Sequence, residues 1–237
     1  MGTLDLTGTH SLTDDILTDI ICSSFPLLRR LSLKNCRKLT GDGIASLVKL
    51  KDLQSIDVGG CFNIHPNTIV DLVKRHPATK TQKLTEIYAG GLGWTDMSLE
   101  ELADATSTHL KGLGIGFSQY VSGPGLILAL AKLEENLDRL AIPFCHTDDE
   151  VMSVLGKKLT NLAALDIRGC GNISSLTGFM TGRTTSGYEY GHLFVLARYS
   201  GISNHSLKET KKVFSEDLLT CVGVGGVGTG IGGGIRR

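Results

Sequence analysis

The sequence lacks an excess of charge of either sign and has no long apolar run. Its 24 lysine and arginine residues balance 24 aspartate and glutamate residues, so the formal net charge is zero. This balance predicts neither nucleic acid nor an anionic membrane as a partner, since both attract basic proteins. The apolar stretches are too short to cross a bilayer, and residues 1–5 show no signal-peptide pattern. We therefore expect no membrane association.

The six cysteines form no CxxC pair, which argues against a zinc ribbon or a thioredoxin-like site. No phased set of nucleophile, base and acid stands out either, so we expect no metal, no cofactor and no enzymatic activity. Free thiols without an export signal indicate a reducing compartment, which predicts a cytoplasmic location, a nuclear one or both. An enzyme that uses Cys145 or His146 is the alternative from a different class.

One apolar pattern recurs along the chain. An apolar residue is followed three positions later by an apolar anchor, and another apolar residue stands two positions beyond the anchor, as in Leu28, Leu31 and Leu33. The anchors are residues 4, 31, 56, 87, 113, 140, 165 and 196, a mean spacing of about 27 residues. Below, positions +1 to +5 count from the anchor. This period predicts a repeat protein.

Except in the seventh repeat, the anchor region is followed by a loop and then by apolar residues three and four positions apart, which predicts a helix. Thr and Asp residues such as Thr95 and Asp148 precede these helices and can cap their exposed N–H groups. Each repeat is therefore a short strand, a loop and a helix. Stacked repeats predict an α/β leucine-rich-repeat solenoid, a horseshoe of about eight repeats with a parallel sheet on the concave face and helices on the convex face.

The solenoid is predicted to span residues 1–215. Residues 177–192 are rich in Gly, Thr and Tyr and show no helical pattern, so we expect an inserted loop there. Residues 216–237 are glycine-rich, which predicts a disordered tail because so many glycines are costly to order. The tail contains a GxGxxG at Gly223, but the helix and acidic residue that a dinucleotide site needs do not follow.

Four cysteines occupy one slot of the repeat, position +5: Cys36, Cys61, Cys145 and Cys170. We interpret them as small buried residues that replace the Asn of other leucine-rich repeats. Metal binding or redox sensing by these thiols is the alternative. A disulfide between Cys36 and Cys61 under oxidation stays open, because neighbouring repeats bring them close.

Segments 28–47, 53–72 and 162–173 resemble the cysteine-containing leucine-rich repeats of F-box/leucine-rich-repeat proteins and their ribonuclease-inhibitor-like relatives. The resemblance covers about residues 1–215. It implies a protein-interaction module that recognises a protein substrate in an SCF-type (cullin) ubiquitin ligase, leading to proteasomal degradation. A scaffold or inhibitor-like binder unconnected to ubiquitin is the alternative.

In that family an N-terminal F-box docks to the ligase adaptor. Residues 11–28 superficially resemble an F-box but fall in the helix slot of the first repeat, so we assign them to the repeat. An adaptor would then bind through a module upstream of residue 1.

Side chains at −1, +1 and +3 alternate with the buried ones and should face the concave surface. Together with the aromatic residues of the adjacent loops they predict a protein-binding face, since aromatic residues and Arg dominate interface energetics. The candidate partner-binding residues are Arg30, Lys34, Asp57, Glu86, Tyr88, Phe117, Arg139, Phe144, Asp166, Arg168 and Tyr199.

Overall fold

The computed structural model describes residues 2–185, 193–198, 200–213 and 219–222. Its centre is one parallel sheet in which each strand pairs with the next strand along the chain. The strands of the described residues are β1 (Thr3–Asp5), β2 (Arg30–Ser32), β3 (Ser55–Asp57), β4 (Glu86–Tyr88), β5 (Gly112–Gly114), β6 (Arg139–Ala141), β7 (Ala164–Asp166), β8 (Leu193–Leu196) and β9 (Leu219–Val222).

A helical segment follows each of the first eight strands. In the described residues these segments are a π-helical turn (Ile16–Ile21) that runs into α1 (Cys22–Ser24), then α2 (Gly41–Ala45) with a 3₁₀ turn (Ser46–Lys49), α3 (Pro66–Arg75), α4 (Pro77–Lys80), α5 (Asp96–Thr106), α6 (Gly123–Ala131), α7 (Asp149–Lys158), α8 (Thr177–Thr185) and α9 (Asn204–Val213). The π-helical turn and α1 lie within residues 11–28, in the helix slot of the first repeat. The predicted leucine-rich-repeat solenoid is confirmed.

The repeat phase fixes the register of the sheet. Leu31 pairs with Ile56, and the seven anchors from residue 4 to residue 165 pair in the same way. The anchors, the residues two positions after them and the residues three positions before them are almost all buried in one continuous core. Burial of these rows is the main source of stability, because a single repeat has too little apolar surface to fold alone.

The predicted helix caps form, and an aspartate beside one of them connects two neighbouring repeats. Thr95 caps α5 through a reciprocal pair of hydrogen bonds with Ser98, and the Asp148 carboxylate accepts from the N–H of Val151 at 2.9 Å. The first Asp of α5, Asp96, accepts from the N–H of Ser122, which caps the following helix. These polar residues satisfy exposed helix ends and also set the spacing of the repeats.

The eighth anchor is Val195, one residue before the predicted Leu196. Leu165 pairs with Val195, and both Val195 and Ala197 are buried. The sequence there is apolar at four consecutive positions, so either phase fits the pattern, and a slip of one residue reverses which face each side chain occupies. Phe194 and Leu196 therefore face the concave side, where Val195 and Ala197 were expected.

The prediction of an inserted loop at residues 177–192 is wrong for its first nine residues, which form α8. Tertiary packing overrides their weak helix propensity. Gly156 of α7 and Gly182 of α8 allow the two helix backbones to approach closely, and Phe179 is buried between the repeats. The buried Arg183 donates to the Leu159 carbonyl at 3.0 Å. Residues 186–192 lie outside the described residues.

The predicted disordered tail, residues 216–237, is wrong for residues 219–222. These residues form β9, whose Leu219 pairs with Leu193 and is buried. Apolar residues at alternate positions of this segment continue the sheet by one strand. Residues 216–218 and 223–237, with the GxGxxG at Gly223, lie outside the described residues. Within the described residues, no helix is long and apolar enough to span a membrane.

Leu113 and Leu128 provide a matched test of inside and outside. Leu113 is the fully buried anchor of β5, whereas Leu128 on α6 is 59% exposed. We expect Leu113→Ala to lower the free energy of unfolding by about 2–5 kcal/mol, because it leaves a cavity in the core. Leu128→Ala should change it by less than about 0.5 kcal/mol. Chemical denaturation of both variants checks this, and equal losses would contradict the assigned phase.

Candidate functional site

The cysteine slot is structural. Each of the four thiols donates to a main-chain carbonyl of the preceding repeat: Cys36 to Leu6 and Cys61 to Leu33, both at 3.1 Å, Cys145 to Ile115 at 3.7 Å and Cys170 to Ile142 at 3.1 Å. Burial raises the pKa of the Cys61 thiol to about 11 and that of Cys170 to about 12. Thiols held in the protonated form are poor nucleophiles and poor metal ligands.

The metal and redox alternatives find no support among these thiols. Cys36 and Cys61 are free and contact different carbonyls. In the part of the chain that the structure describes, no group of three or more His, Cys, Asp or Glu side chains is placed to hold a metal ion.

At position +4 the backbone turns into the left-handed region in seven successive repeats. The seven residues, with φ between 55° and 80°, are Gly8, Asn35, Gly60, Gly91, Phe117, Phe144 and Gly169. Glycine and asparagine adopt this conformation at little cost, but a bulky side chain does so at a cost of about 1–2 kcal/mol. Two neighbouring repeats therefore hold phenylalanines in a backbone conformation that phenylalanine disfavours.

The two phenylalanines stack on each other at the end of the sheet. The ring centroids of Phe117 and Phe144 are 4.6 Å apart and the rings are 14° from parallel. Phe117 is 56% exposed and Phe144 45% exposed. Phe62, on the loop after β3, is also exposed and lies near Gly91. Three exposed aromatic rings thus border one side of the concave face.

Tyr88 lies along the floor of the concave face because β5 has no side chains there. A Cβ atom on Gly114 would be 2.6 Å from Tyr88 Cδ1, and one on Gly112 would be 2.9 Å from the Tyr88 hydroxyl oxygen. The ring is half-buried, and its desolvation, followed by the charge of Glu86, raises the pKa of the Tyr88 hydroxyl. Gly112 and Gly114 therefore make room for an aromatic side chain.

The charged residues of the concave face are largely paired with each other. Glu86 is nearly buried, 3.1 Å from Arg139 and 3.9 Å from Arg30. Asp166 and Arg168 form a bidentate pair at 2.6 and 2.9 Å. These pairs hold the side chains against the sheet.

A groove of about 570 Å³ runs along the C-terminal ends of the strands, from β2 to β7. Six glycines contribute to its lining: Gly59, Gly60, Gly90, Gly91, Gly114 and Gly116. Six of the predicted residues also line it: Lys34, Asp57, Tyr88, Phe117, Asp166 and Arg168. Phe144 lies at its rim, stacked on Phe117.

Arg30, Glu86 and Arg139 belong to a separate cluster at the N-terminal ends of the strands. Tyr199 lies outside the described residues. The sequence interpretation missed Phe62 and Asn35, which also line the groove, whereas Pro143 lies there at position +3 as the alternation predicts. Phe62 follows Cys61, so the loop beyond each cysteine slot was the signal that would have found it.

No family model matches this chain, and no curated protein matches it. Solved structures do. Rad7, in a complex with Elc1 from yeast, is 19% identical with a TM-score of 0.58, and the match covers 91% of this chain and 60% of that one. TLR13, in a complex with a single-stranded RNA, is 17% identical with a TM-score of 0.52, covering 85% of this chain and 30% of that one.

The chain has the leucine-rich-repeat solenoid fold. Its sequential parallel sheet and its repeat of about 27 residues are typical of leucine-rich repeats, and its TM-scores to both neighbours exceed 0.5. It spans less than two thirds of either neighbour. Identity at this level shows the fold and assigns no function, because one fold carries many functions.

The left-handed backbone at Phe117 can be tested by comparing two small residues. At most strand and loop positions a variant with Ala is more stable than a variant with Gly. The order is reversed where the backbone is left-handed, because Gly adopts that conformation at little cost. We expect the free energy of unfolding of Phe117→Gly to be about 1 kcal/mol higher than that of Phe117→Ala. Thermal and urea denaturation measure the difference, and an Ala variant as stable as the Gly variant would contradict the backbone conformation at this residue.

Proposed function

We propose that the protein is a recognition module that binds a polypeptide on its concave face. The observation that supports this most is the groove with its three exposed aromatic rings, Phe62, Phe117 and Phe144. Aromatic anchors beside a polar surface are typical of protein interfaces. The groove crosses six strands at about 4.8 Å per step, or about 24 Å, which matches the length of an extended segment of about seven residues.

Binding suits the chemistry of the surface better than catalysis. Cys145, a nucleophile candidate, is buried, and its desolvation raises the pKa of its thiol, which disfavours the reactive thiolate. His146 is exposed beside it on the loop. We therefore propose no enzymatic activity, no metal and no cofactor.

The more specific proposal is substrate recognition in an SCF-type ubiquitin ligase, and it depends on the family resemblance of the cysteine-slot repeats. Rad7, solved together with Elc1, supports it as a chain of this fold that has a protein partner. An adaptor or adaptor-binding module has a candidate surface on the first repeat, where Ile20, Phe25 and Leu27 are exposed. Under this proposal the protein acts in the cytoplasm, the nucleus or both, and a ligase-independent scaffold or inhibitor-like binder is the alternative.

Cross-linking and affinity capture from the native cells, with the proteasome inhibited, tests both levels of the proposal. The concave variant is Phe117→Asp with Phe144→Asp, and the control is Leu128→Asp on exposed α6. We expect the concave variant to capture at least tenfold less of the substrate proteins, while the amounts of cullin and adaptor subunits stay unchanged. Leu27→Asp should lose the cullin and adaptor subunits instead.

Each outcome has a separate meaning. Substrate proteins without cullin or adaptor subunits would contradict the ligase role and favour the scaffold. Equal losses from the concave variant and from Leu128→Asp would contradict recognition on the concave face.

A further inference from the structure

Three repeats use an internal carboxylate to satisfy one N–H group at the end of the strand. An Asp at position +1 accepts a hydrogen bond from the N–H at position +3 in three pairs: Asp5 with Thr7 at 2.9 Å, Asp57 with Gly59 at 2.8 Å, and Asp166 with Arg168 at 3.1 Å. Side chains at +1 lie on the concave face. The N–H at +3 is therefore directed toward that face.

In the fourth and fifth repeats this N–H does not continue the sheet, because it makes no hydrogen bond to the carbonyl of the preceding strand, which accepts from another donor. For Gly90 that carbonyl belongs to Val58, which accepts from the N–H of Cys61 at 3.2 Å. For Gly116 it belongs to Ala89, which accepts from the indole N–H of Trp94 at 2.7 Å. The donor at +3 therefore needs an acceptor from the concave side.

The fourth and fifth repeats have no such acceptor. Their +1 residues are Tyr88 and Gly114, and the described residues offer no hydrogen-bond acceptor to the N–H groups of Gly90 and Gly116. The two glycines are in contact: a Cβ atom on Gly90 would be 3.2 Å from the Gly116 nitrogen. Two neighbouring N–H donors on the floor of the groove therefore have no acceptor among the described residues, with Gly90 half-buried and Gly116 buried.

We propose that the groove binds an acidic side chain of a protein partner, whose carboxylate accepts hydrogen bonds from the N–H groups of Gly90 and Gly116. An aromatic or aliphatic side chain of the same segment packs on the Phe117–Phe144 stack. This inference rests on the proposed protein-recognition function. The acidic side chain takes the place that Asp57 holds in the third repeat, and N–H donors on strands about 4.8 Å apart can reach the two oxygens of one carboxylate.

The charges around the groove permit an anion there. Lys34 and Arg168 balance Asp57 and Asp166, so the lining carries no net charge. Asp57 already accepts from Gly59, and Arg168 pairs with Asp166 through two hydrogen bonds. Bare backbone N–H groups on a glycine floor are a recurring way in which proteins bind anions.

An apolar side chain bound on the phenylalanine stack would lie next to the bound carboxylate. Phe117 follows Gly116 directly, so an apolar side chain on the stack would be one or two residues from the acidic one. Both rings are exposed while their backbones adopt a conformation that phenylalanine disfavours. Bulky residues kept in such a conformation cluster at binding sites, where function compensates for the strain.

Nuclear magnetic resonance of the ¹⁵N-labelled full chain tests the proposal with two blocked peptides, acetyl-Gly-Asp-Phe-Gly-amide and acetyl-Gly-Asn-Phe-Gly-amide. We expect the Asp peptide to shift the amide protons of Gly90 and Gly116 downfield and to bind at least tenfold more tightly than the Asn peptide. This comparison needs no variant. Equal affinity of the two peptides, or unchanged Gly90 and Gly116 amides, would overturn the proposal.

A pair of Asp variants separates hydrogen bonding from charge repulsion. Tyr88→Asp puts a carboxylate where β3 has Asp57. This carboxylate should accept the hydrogen bond of the Gly90 N–H and lower the affinity for the Asp peptide at least tenfold. Ala141→Asp adds the same charge on the strand at the other side of β5, but its +3 residue is Pro143, which has no N–H to donate. We expect Ala141→Asp to lower the affinity for the Asp peptide less than threefold.

Equal losses from Tyr88→Asp and Ala141→Asp would leave repulsion as the cause and contradict the hydrogen-bonded site. The carboxylate site and the proposed function can fail separately. If the two peptides bind alike while the Phe117→Asp, Phe144→Asp variant still loses its captured proteins, the acidic ligand is wrong and protein recognition stands.

Discussion

The structure depends on satisfying one carbonyl at the end of each strand. The residue two positions after the anchor is partly buried in the first repeat and buried in the later ones, so its carbonyl oxygen must accept a hydrogen bond inside the protein. The carbonyls of Leu6 and Leu33 accept from the backbone N–H at position +5 of their own repeat and also from a thiol of the next repeat. The Ile142 carbonyl accepts from a thiol of the next repeat, and the Ala89 carbonyl accepts from the indole of Trp94. Ser200 performs the same task for Ala197 within its own repeat. The position +5 slot is therefore a donor slot as well as a packing slot.

The same turn produces the candidate binding surface. Once the carbonyl has turned inward, the chain passes through a left-handed residue, and the N–H at position +3 loses its partner in the sheet. The carboxylates of Asp57 and its equivalents accept a hydrogen bond from that N–H. Where Tyr88 and Gly114 replace the Asp, the surface is left with unpaired donors. The proposed recognition thus uses backbone groups that the stacking of repeats exposes, with Phe117 and Phe144 as side-chain anchors.

The repeat could be predicted from the sequence because apolar residues recur at three positions of the copies, and almost all of them are buried. The predicted phase is wrong only in the eighth repeat, where four successive apolar residues, Leu193–Leu196, permit two registers. Helix α8 was missed because it forms through the close approach of Gly156 and Gly182, a tertiary effect that local propensity does not contain. Of the site, the concave side chains could be assigned by alternation. The groove could not, because backbone direction at Gly90 and Gly116 has no signature in side-chain chemistry.

Amide hydrogen exchange at three glycines tests the central claim most directly. Gly59, Gly90 and Gly116 occupy the same position in successive repeats, and only Gly59 has an internal carboxylate acceptor among the described residues. The account predicts that the Gly59 amide is protected whereas the Gly90 and Gly116 amides exchange at least tenfold faster. Equal protection of all three would contradict it, because the groove would then hold no unpaired donors for a partner to use.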